Sequence, residues 1–380
     1  MCETTSEDRL VVERYFLMGV FGSALALFGL LANGLLATLF LTRANYRHSP
    51  FFFLGFVALF DTLFDATFIL LLSVPVNAEY FDNYVLFMMW LNYMPILYLF
   101  SQIFKIASVF CLIMASIERY CMTKHWTFTG FERKTRWLAL TFVVGMAIII
   151  KNITAGVSVI ERDECIGYRR FKIVTGGVDS YHIGLFNTAA IFVPFFTLIF
   201  LNGGIVLMLR KQNVQQLRSL ITELTMGTDV MKIRRRNLRS ATNTLIVIIS
   251  AYLISNLLNV YLTITEYFDG DFLHVHHPDF FRLAADFASV LAVIGNAIRC
   301  PAHFLSSSEI RQQFSLMFFG EVEEKKISFQ KIEATPRRRS ERLENPWISL
   351  LLTVHDKDQP NSPLLSGTTY AKRHSTIAIC

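Results

Sequence analysis

Long hydrophobic stretches alternate with short polar segments along most of the chain. The seven stretches are residues 16–41, 51–76, 90–121, 137–159, 182–209, 241–265 and 281–305. Each exceeds the roughly 20 residues that an α-helix needs to cross a bilayer. They are too long and too continuous for the alternating strands of a membrane barrel. The pattern therefore predicts an all-α fold, a bundle of seven transmembrane helices.

The same pattern divides the chain into four segments. Residues 1–15 form a short acidic N-terminus, and residues 16–305 form the membrane domain. Residues 306–320 are predicted to form a short amphipathic helix on the membrane surface. Residues 321–380, rich in Pro, Ser and charge, are predicted to be a disordered tail. An acidic N-terminus followed by a full-length apolar stretch predicts an uncleaved signal-anchor.

Charge sets the orientation of the predicted bundle. Only 17% of the residues are charged and 53% are hydrophobic, which is unusual for a soluble domain of this size. With the N-terminus outside, loops 42–50, 119–136 and 210–240 are cytoplasmic and carry 15 Lys and Arg, against seven on the outer side. The positive-inside rule favours this multi-pass topology, with a cytoplasmic tail.

The outer segments are acidic. They contain 14 Asp and Glu residues, which would attract a cationic ligand. Solvated loops also carry charge when they bind no ligand, so a cationic ligand and ordinary loop solvation both remain open as explanations.

A charged triplet closes the third hydrophobic stretch. Glu118-Arg119-Tyr120 lies at its cytoplasmic end. An arginine at that depth needs a partner, and the adjacent Glu118 is a candidate while the bundle is closed. A triplet of this kind, at the end of the third of seven helices, resembles the Asp/Glu-Arg-Tyr motif of rhodopsin-like G-protein-coupled receptors. The resemblance implies a plasma-membrane receptor in which these three residues couple to a heterotrimeric G protein.

Other helices carry matching landmarks. Asn33 in helix 1 and Asp61 in helix 2 resemble polar positions of the family, and Cys300-Pro301-Ala302-His303-Phe304 resembles its Asn/Asp-Pro-x-x-Tyr motif. Cys300 and Phe304 depart from that motif. Ser255-Asn256-Leu257-Leu258 is similar to the Cys-Asn-Leu-Pro of invertebrate FMRFamide-type neuropeptide receptors, and helix 7 is similar to nematode branches. This resemblance implies an amidated, cationic peptide ligand.

Several polar residues are predicted to form one site inside the membrane. They are Asn33, Asp61, Asp65, Lys105, Ser108 and Asn296. Lys105 lies 14 residues before Arg119, about 21 Å of helix, which is deep for a side chain reaching the interface. Its candidate partners are Asp61, Asp65 and Asp286, and snorkelling to the outer interface is the alternative. In many family members a sodium ion occupies such a site, and the Lys105 ammonium could replace it.

The resemblance also implies an outer ligand site and an outer disulfide. The predicted ligand contacts are Gln102, Glu164, Tyr261, Glu266 and Asp286. For the disulfide, Cys165 can supply the second outer loop, but Met94 stands at the expected position in helix 3. A Cys2–Cys165 bridge and a free Cys165 both remain open.

Other function classes find less support in the chain. A transporter would be expected to show broken helices in two matching halves, and the sequence shows none. An enzyme would need a cluster of nucleophile, base or metal ligands, and none is seen in the sequence. We therefore expect no catalytic residue, metal, cofactor or nucleic-acid partner. The expected partners are an extracellular peptide, a G protein, membrane lipids, and kinases and arrestin at the tail. A chemosensory receptor for an environmental small molecule is the alternative function.

Overall fold

The computed structural model describes most of residues 10–319. The gaps are residues 44–45, 47–48, 50, 125–130, 155–156, 163–170, 177–179, 223–228, 270–271 and 273–275. Residues 153–187 and 212–241, where described, are described by secondary structure alone. The predicted tail at 321–380 and residues 1–9 lie outside the described residues.

Seven helices in the described part of the chain are long and apolar enough to cross a membrane, which confirms the predicted bundle. They are α1 (Val11–Thr42), α2 (Phe52–Tyr80), α3 (Tyr84–Lys124), α4 (Arg133–Thr154), α5 (Ser180–Thr222), α6 (Asp229–Phe268) and α7 (Pro278–Ser306). A short helix, α8 (Ser308–Phe319), follows within two residues of the predicted bounds.

A β-hairpin lies between α4 and α5. Strand β1 (Val157–Arg162) pairs antiparallel with β2 (Phe171–Gly176). The fourth hydrophobic stretch, predicted over 137–159, therefore contains two kinds of structure, because α4 ends at Thr154 and the strand begins three residues later. Val157, Val159 and Ile160 are β-branched residues, which favour strands over helices.

The bundle is apolar outside and polar at its centre. Large apolar side chains face outwards, among them Leu138 at 72%, Phe200 at 76% and Ile254 at 73% exposure. Asp61, Asp65 and Arg299 are buried inside. This distribution is the reverse of the one expected in water, and it suits helices surrounded by lipid.

Two kinds of irregularity shape the helices. Tyr15–Gly22 in α1 and Ile69–Ser73 in α2 are π-helical and touch, since Ser73 Oγ donates to the Met18 carbonyl at 2.9 Å. Helix α7 is interrupted at Ile298, because Pro301 has no N–H to donate to the Ala297 carbonyl four residues earlier. The interruption lies directly beside Arg299.

The chain divides into two units, residues 1–314 and 315–380. Of the second unit, only residues 315–319, the end of α8, are described. In the first unit, α8 buries Ile310 and Phe314, and Arg311 Nη1 donates to the carbonyls of Phe304 at 3.1 Å and Leu305 at 3.0 Å. These bonds satisfy carbonyls that the end of α7 leaves open.

Candidate functional site

A buried ion pair joins α2, α3 and α7 in the middle of the bundle. Arg299 of α7 donates through Nη1 to Asp61 of α2, and also to Ser108 Oγ of α3 at 3.1 Å. Ser108 Oγ donates to the other carboxylate oxygen of Asp61 at 2.6 Å. The Arg299 and Asp61 side chains are only 4% and 2% exposed. A closed triangle of charge-assisted hydrogen bonds therefore ties three helices together.

A second acid, Asp65, lies one turn further along α2. Its oxygens accept hydrogen bonds from the side-chain amides of Asn33 and Asn296, both at 3.5 Å. Asn33 Nδ2 also donates to the Asn296 carbonyl at 3.2 Å. Gly29 makes room for this group, because a Cβ at that position would overlap the Asp65 carboxylate. Asp65 has no cation within salt-bridge distance among the described residues.

The structure brings together five of the six predicted intramembrane residues but not Lys105. The predicted pairing of Lys105 with Asp61 is wrong, because Arg299 is the cation that Asp61 binds. Helical side chains lean towards the helix N-terminus. Lys105, one turn before Ser108 in α3, therefore points away from the level of Asp61 and lines a cavity instead.

That cavity has a volume of about 900 Å³ and lies between the helices at the end of the bundle where α3 begins and α6 ends. Its wall combines apolar side chains with amides, hydroxyls and three charged residues. The polar and charged residues on this wall include Gln102, Lys105, Lys151, Tyr252, Asn256, Asn259, Glu266 and Ser289. A volume of this size is typical of sites for small molecules and for the inserted ends of larger ligands.

The five predicted ligand contacts have different outcomes. Gln102 and Glu266 line the cavity, while Tyr261 is 51% exposed and does not. Asp286 is already engaged, since it accepts a 2.6 Å hydrogen bond from Arg14 Nε of α1. Asp286 was predicted to contact the ligand or Lys105. Its partner is instead Arg14, close to the N-terminal end of α1. Glu164 lies outside the described residues.

At the opposite end of the bundle, Glu118 has a different partner from the one predicted. Its Oε1 accepts hydrogen bonds from Arg136 Nη2 of α4 at 2.6 Å and Nε at 3.2 Å, and from the Phe131 amide at 2.9 Å. The two side chains are 0% and 4% exposed. The prediction that Glu118 pairs with Arg119 is therefore wrong for this structure, because the guanidinium of Arg136 pairs with the Glu118 carboxylate instead.

Arg119 is buried, with few polar contacts. Its guanidinium lies over the Phe51 ring, 5.5 Å from the centroid. Its Nε and Nη2 have no hydrogen-bond partner among the described residues. Tyr120, the last residue of the triplet, lies against α5, where a Cβ on Gly204 would be 3.0 Å from its ring.

The residues of the helix 7 motif face different ways. Phe304 is 42% exposed and packs on Phe314 of α8, with ring centroids 6.0 Å apart. The buried residue is His303, which contacts Phe40 and also Phe51, the ring under Arg119. Cys300 is partly buried against the main apolar core, and Pro301 follows the interruption of α7.

Sequence reasoning missed Arg299, Arg136 and His303. The signal for Arg299 was present, since a basic residue inside an apolar stretch is the feature that singled out Lys105. No comparable signal marked Arg136, which stands among other basic residues at the start of α4.

Cys2 and Cys165 lie outside the described residues, so the outer disulfide remains a prediction. Cys111 and Cys300 are free cysteines, and Cys121 is buried. The described residues contain no group of three His, Cys, Asp or Glu side chains arranged to hold a metal ion.

Comparison with solved structures identifies the fold. The chain is similar to squid rhodopsin, with a TM-score of 0.61 and 16% sequence identity over 81% of this chain and 86% of the rhodopsin chain. No protein-family model and no curated protein sequence matches the chain. The fold is therefore the seven-helix fold of rhodopsin.

Proposed function

We propose that this chain is a plasma-membrane G-protein-coupled receptor, with the cavity facing outwards and Arg119 facing the cytosol. The observation that carries the proposal is Arg119, which is 3% exposed although two of its donor nitrogens have no partner among the described residues. Unpaired buried donors are unfavourable. A protein entering between the inner helix ends would supply their acceptors, and a heterotrimeric G protein is the partner that fits the fold.

The contacts between helices suggest how the cavity acts on the inner end. Tyr252 and Asn256 of α6 line the cavity, and their neighbour Ser255 packs closely on Gly295 of α7. Four residues later, α7 carries Arg299 to Asp61. A ligand that moves α6 therefore strains the ion pair. In this proposal Arg299 serves as a tethered cation that holds the inactive bundle, in the place of a sodium ion.

The proposed ligand is an extracellular peptide. The sequence resemblance to neuropeptide receptors supports this, and acids near the mouth support a basic residue in the peptide. Glu266 lines the cavity, and the exposed Asp269 and the partly exposed Asp279 lie at the adjoining ends of α6 and α7. Such acids would bind an arginine through charge-assisted hydrogen bonds. Kinases and arrestin are proposed as partners of the tail, and membrane lipids as partners of the apolar surface.

A chemosensory receptor for a small molecule is the second candidate. The cavity volume of about 900 Å³ favours it, because a drug-sized compound would fill a cavity of this size without any further contact outside.

A reporter assay tests the function and separates the two candidates. Cells expressing the receptor and a calcium or cAMP reporter are exposed to a panel of neuropeptides and to a panel of environmental small molecules. We expect a peptide to evoke a response that Arg119→Ala abolishes, and replacement of its arginine by norleucine to cut potency sharply. A response to a small molecule alone would establish the second candidate. Full signalling through Arg119→Ala would contradict the proposed coupling.

A further inference from the structure

Two lysines from different helices face the same cavity. Lys105 comes from the middle of α3 and Lys151 from the last turn of α4, and both line the cavity wall. Both are partly buried, and no carboxylate lies within salt-bridge distance of either among the described residues. Their ammonium groups repel each other electrostatically. Of the other buried cations, Arg299 and Arg136 each have an acid, whereas Arg119, at the other end of the bundle, lies over the Phe51 ring.

Packing alone does not account for this pair. Lys151 stands near a helix end, where a lysine can reach the interface along its own stem. Lys105 does not, because it lies one turn above the central Asp61–Ser108 contact. Two like charges in one partly enclosed cavity are unfavourable, and the cost grows as the surroundings exclude water. An anion between them would reverse the sign of that interaction.

We infer that the cavity binds an acidic group, a carboxylate or phosphate, between Lys105 and Lys151. This inference rests on the proposed function, because it specifies the ligand class of the same cavity. The part of the wall that α6 supplies, with Asn256, Asn259 and Glu266, suits an amide or a cation. The ligand therefore carries an acidic group at its inserted end and a neutral or basic group towards the mouth. An inserted peptide end would be a free carboxylate or an acidic side chain, not an amide.

A chemical probe tests the acid site without knowledge of the ligand. Pyridoxal phosphate forms an imine with a lysine amine, with loss of water, and borohydride reduces the imine to a stable secondary amine. Its phosphate needs a second cation nearby. The matched control is 5-deoxypyridoxal, which lacks the phosphate and, unlike pyridoxal, has no hydroxyl that could close on the aldehyde. The full-length receptor, purified in detergent, is labelled with each reagent, and the modified lysines are located by mass spectrometry.

We expect pyridoxal phosphate to modify Lys105 or Lys151 at least tenfold more efficiently than 5-deoxypyridoxal does. Lys151→Gln should reduce modification of Lys105 at least fivefold, whereas Lys134→Gln, at the opposite end of α4, should not. Lys105→Arg keeps the charge and should preserve phosphate-dependent labelling of Lys151. Equal labelling by both reagents, with no effect of Lys151→Gln, would overturn the inference and leave the proposed coupling through Arg119 untouched.

A second experiment distinguishes the sources of the acid in signalling cells. Peptides are tested as C-terminal acids and as C-terminal amides, and small carboxylic acids are tested beside their primary amides. We expect the acid of the active pair to be at least tenfold more potent, and Lys105→Gln to remove that preference. Which class is active identifies a peptide or a small molecule as the source. Equal potency of acid and amide on the wild type would refute the acid site while still demonstrating a signalling receptor.

Discussion

Arg299 and Asp61 carry opposite charges in the middle of an apolar bundle, and each lowers the free-energy cost of burying the other. A buried charge left without its partner is far more costly than either a paired charge or a neutral residue. The sequence marks both residues as ionisable groups in apolar stretches. It does not show which of two candidate cations meets the acid, because Lys105 and Arg299 differ in direction and depth only after the helices are packed.

A charge-deletion cycle tests this pair. Arg299→Met or Asp61→Asn alone should destabilise the bundle by about 3–5 kcal/mol, because each leaves one buried charge stranded. The double variant should recover much of that loss. Thermal unfolding of the purified receptor measures stability, and basal reporter activity measures the closed state. Lys105→Met is the control: combined with Asp61→Asn it should give no rescue, and rescue by Lys105→Met would reinstate the original pairing.

Gly29 allows α1 to approach α2 at Asp65. Gly29→Ala would place a methyl group against the Asp65 carboxylate, and overpacking of this kind costs about 1–3 kcal/mol. Gly34 is the matched control in the same helix, since its Cβ would meet Thr62 Cγ2 at an ordinary 3.6 Å. We expect Gly29→Ala to lower the melting temperature and Gly34→Ala to leave it unchanged or raise it slightly. Equal effects of the two would argue against close packing at Asp65.

At the scale of elements, the lengths of the hydrophobic stretches predicted the number of membrane helices correctly but did not predict where each helix ends. The stretch over 137–159 ran through the end of α4 into β1, because both segments are apolar. Helices α5 and α6 extend beyond their apolar parts, to Thr222 and from Asp229, since polar residues form helices as readily once outside the membrane. The same limit applies to the candidate site. The sequence identified five of the buried polar residues of the site, but the partners of Asp61, Glu118 and Asp286 depend on how the helices pack.

The inner end of α3 offers a contrast between a structural and a functional arginine. Arg136→Ala should strand the buried Glu118 carboxylate and reduce surface expression, because it removes two charge-assisted hydrogen bonds. Arg119→Ala removes a guanidinium with one aromatic contact, so expression should survive while coupling is lost. Surface immunostaining and reporter response to a matched agonist measure the two effects. Loss of expression in both variants would assign Arg119 a structural role.

For the whole molecule, orientation decides whether the cavity and Arg119 face the compartments that the proposed function requires. The cavity lies where α3 begins and α6 ends, and Arg119 lies near the opposite end of α3. The loops on the Arg119 side carry 15 Lys and Arg, against seven on the cavity side. Basic loops are retained in the cytosol. The charge distribution therefore supports the proposed orientation, in which the cavity faces outwards.

Epitope tags at the two ends of the chain test this orientation. In intact cells an antibody should label a tag at the N-terminus, and it should label a C-terminal tag only after the membrane is permeabilised. Replacing the five basic residues Lys232, Arg234, Arg235, Arg236 and Arg239 by Gln lowers the inner count from 15 to ten and should weaken the preference. Gln substitution of Arg9 and Arg14 removes charge from the outer side and should not. Labelling of the C-terminal tag in intact wild-type cells would place Arg119 outside, where no G protein could reach it.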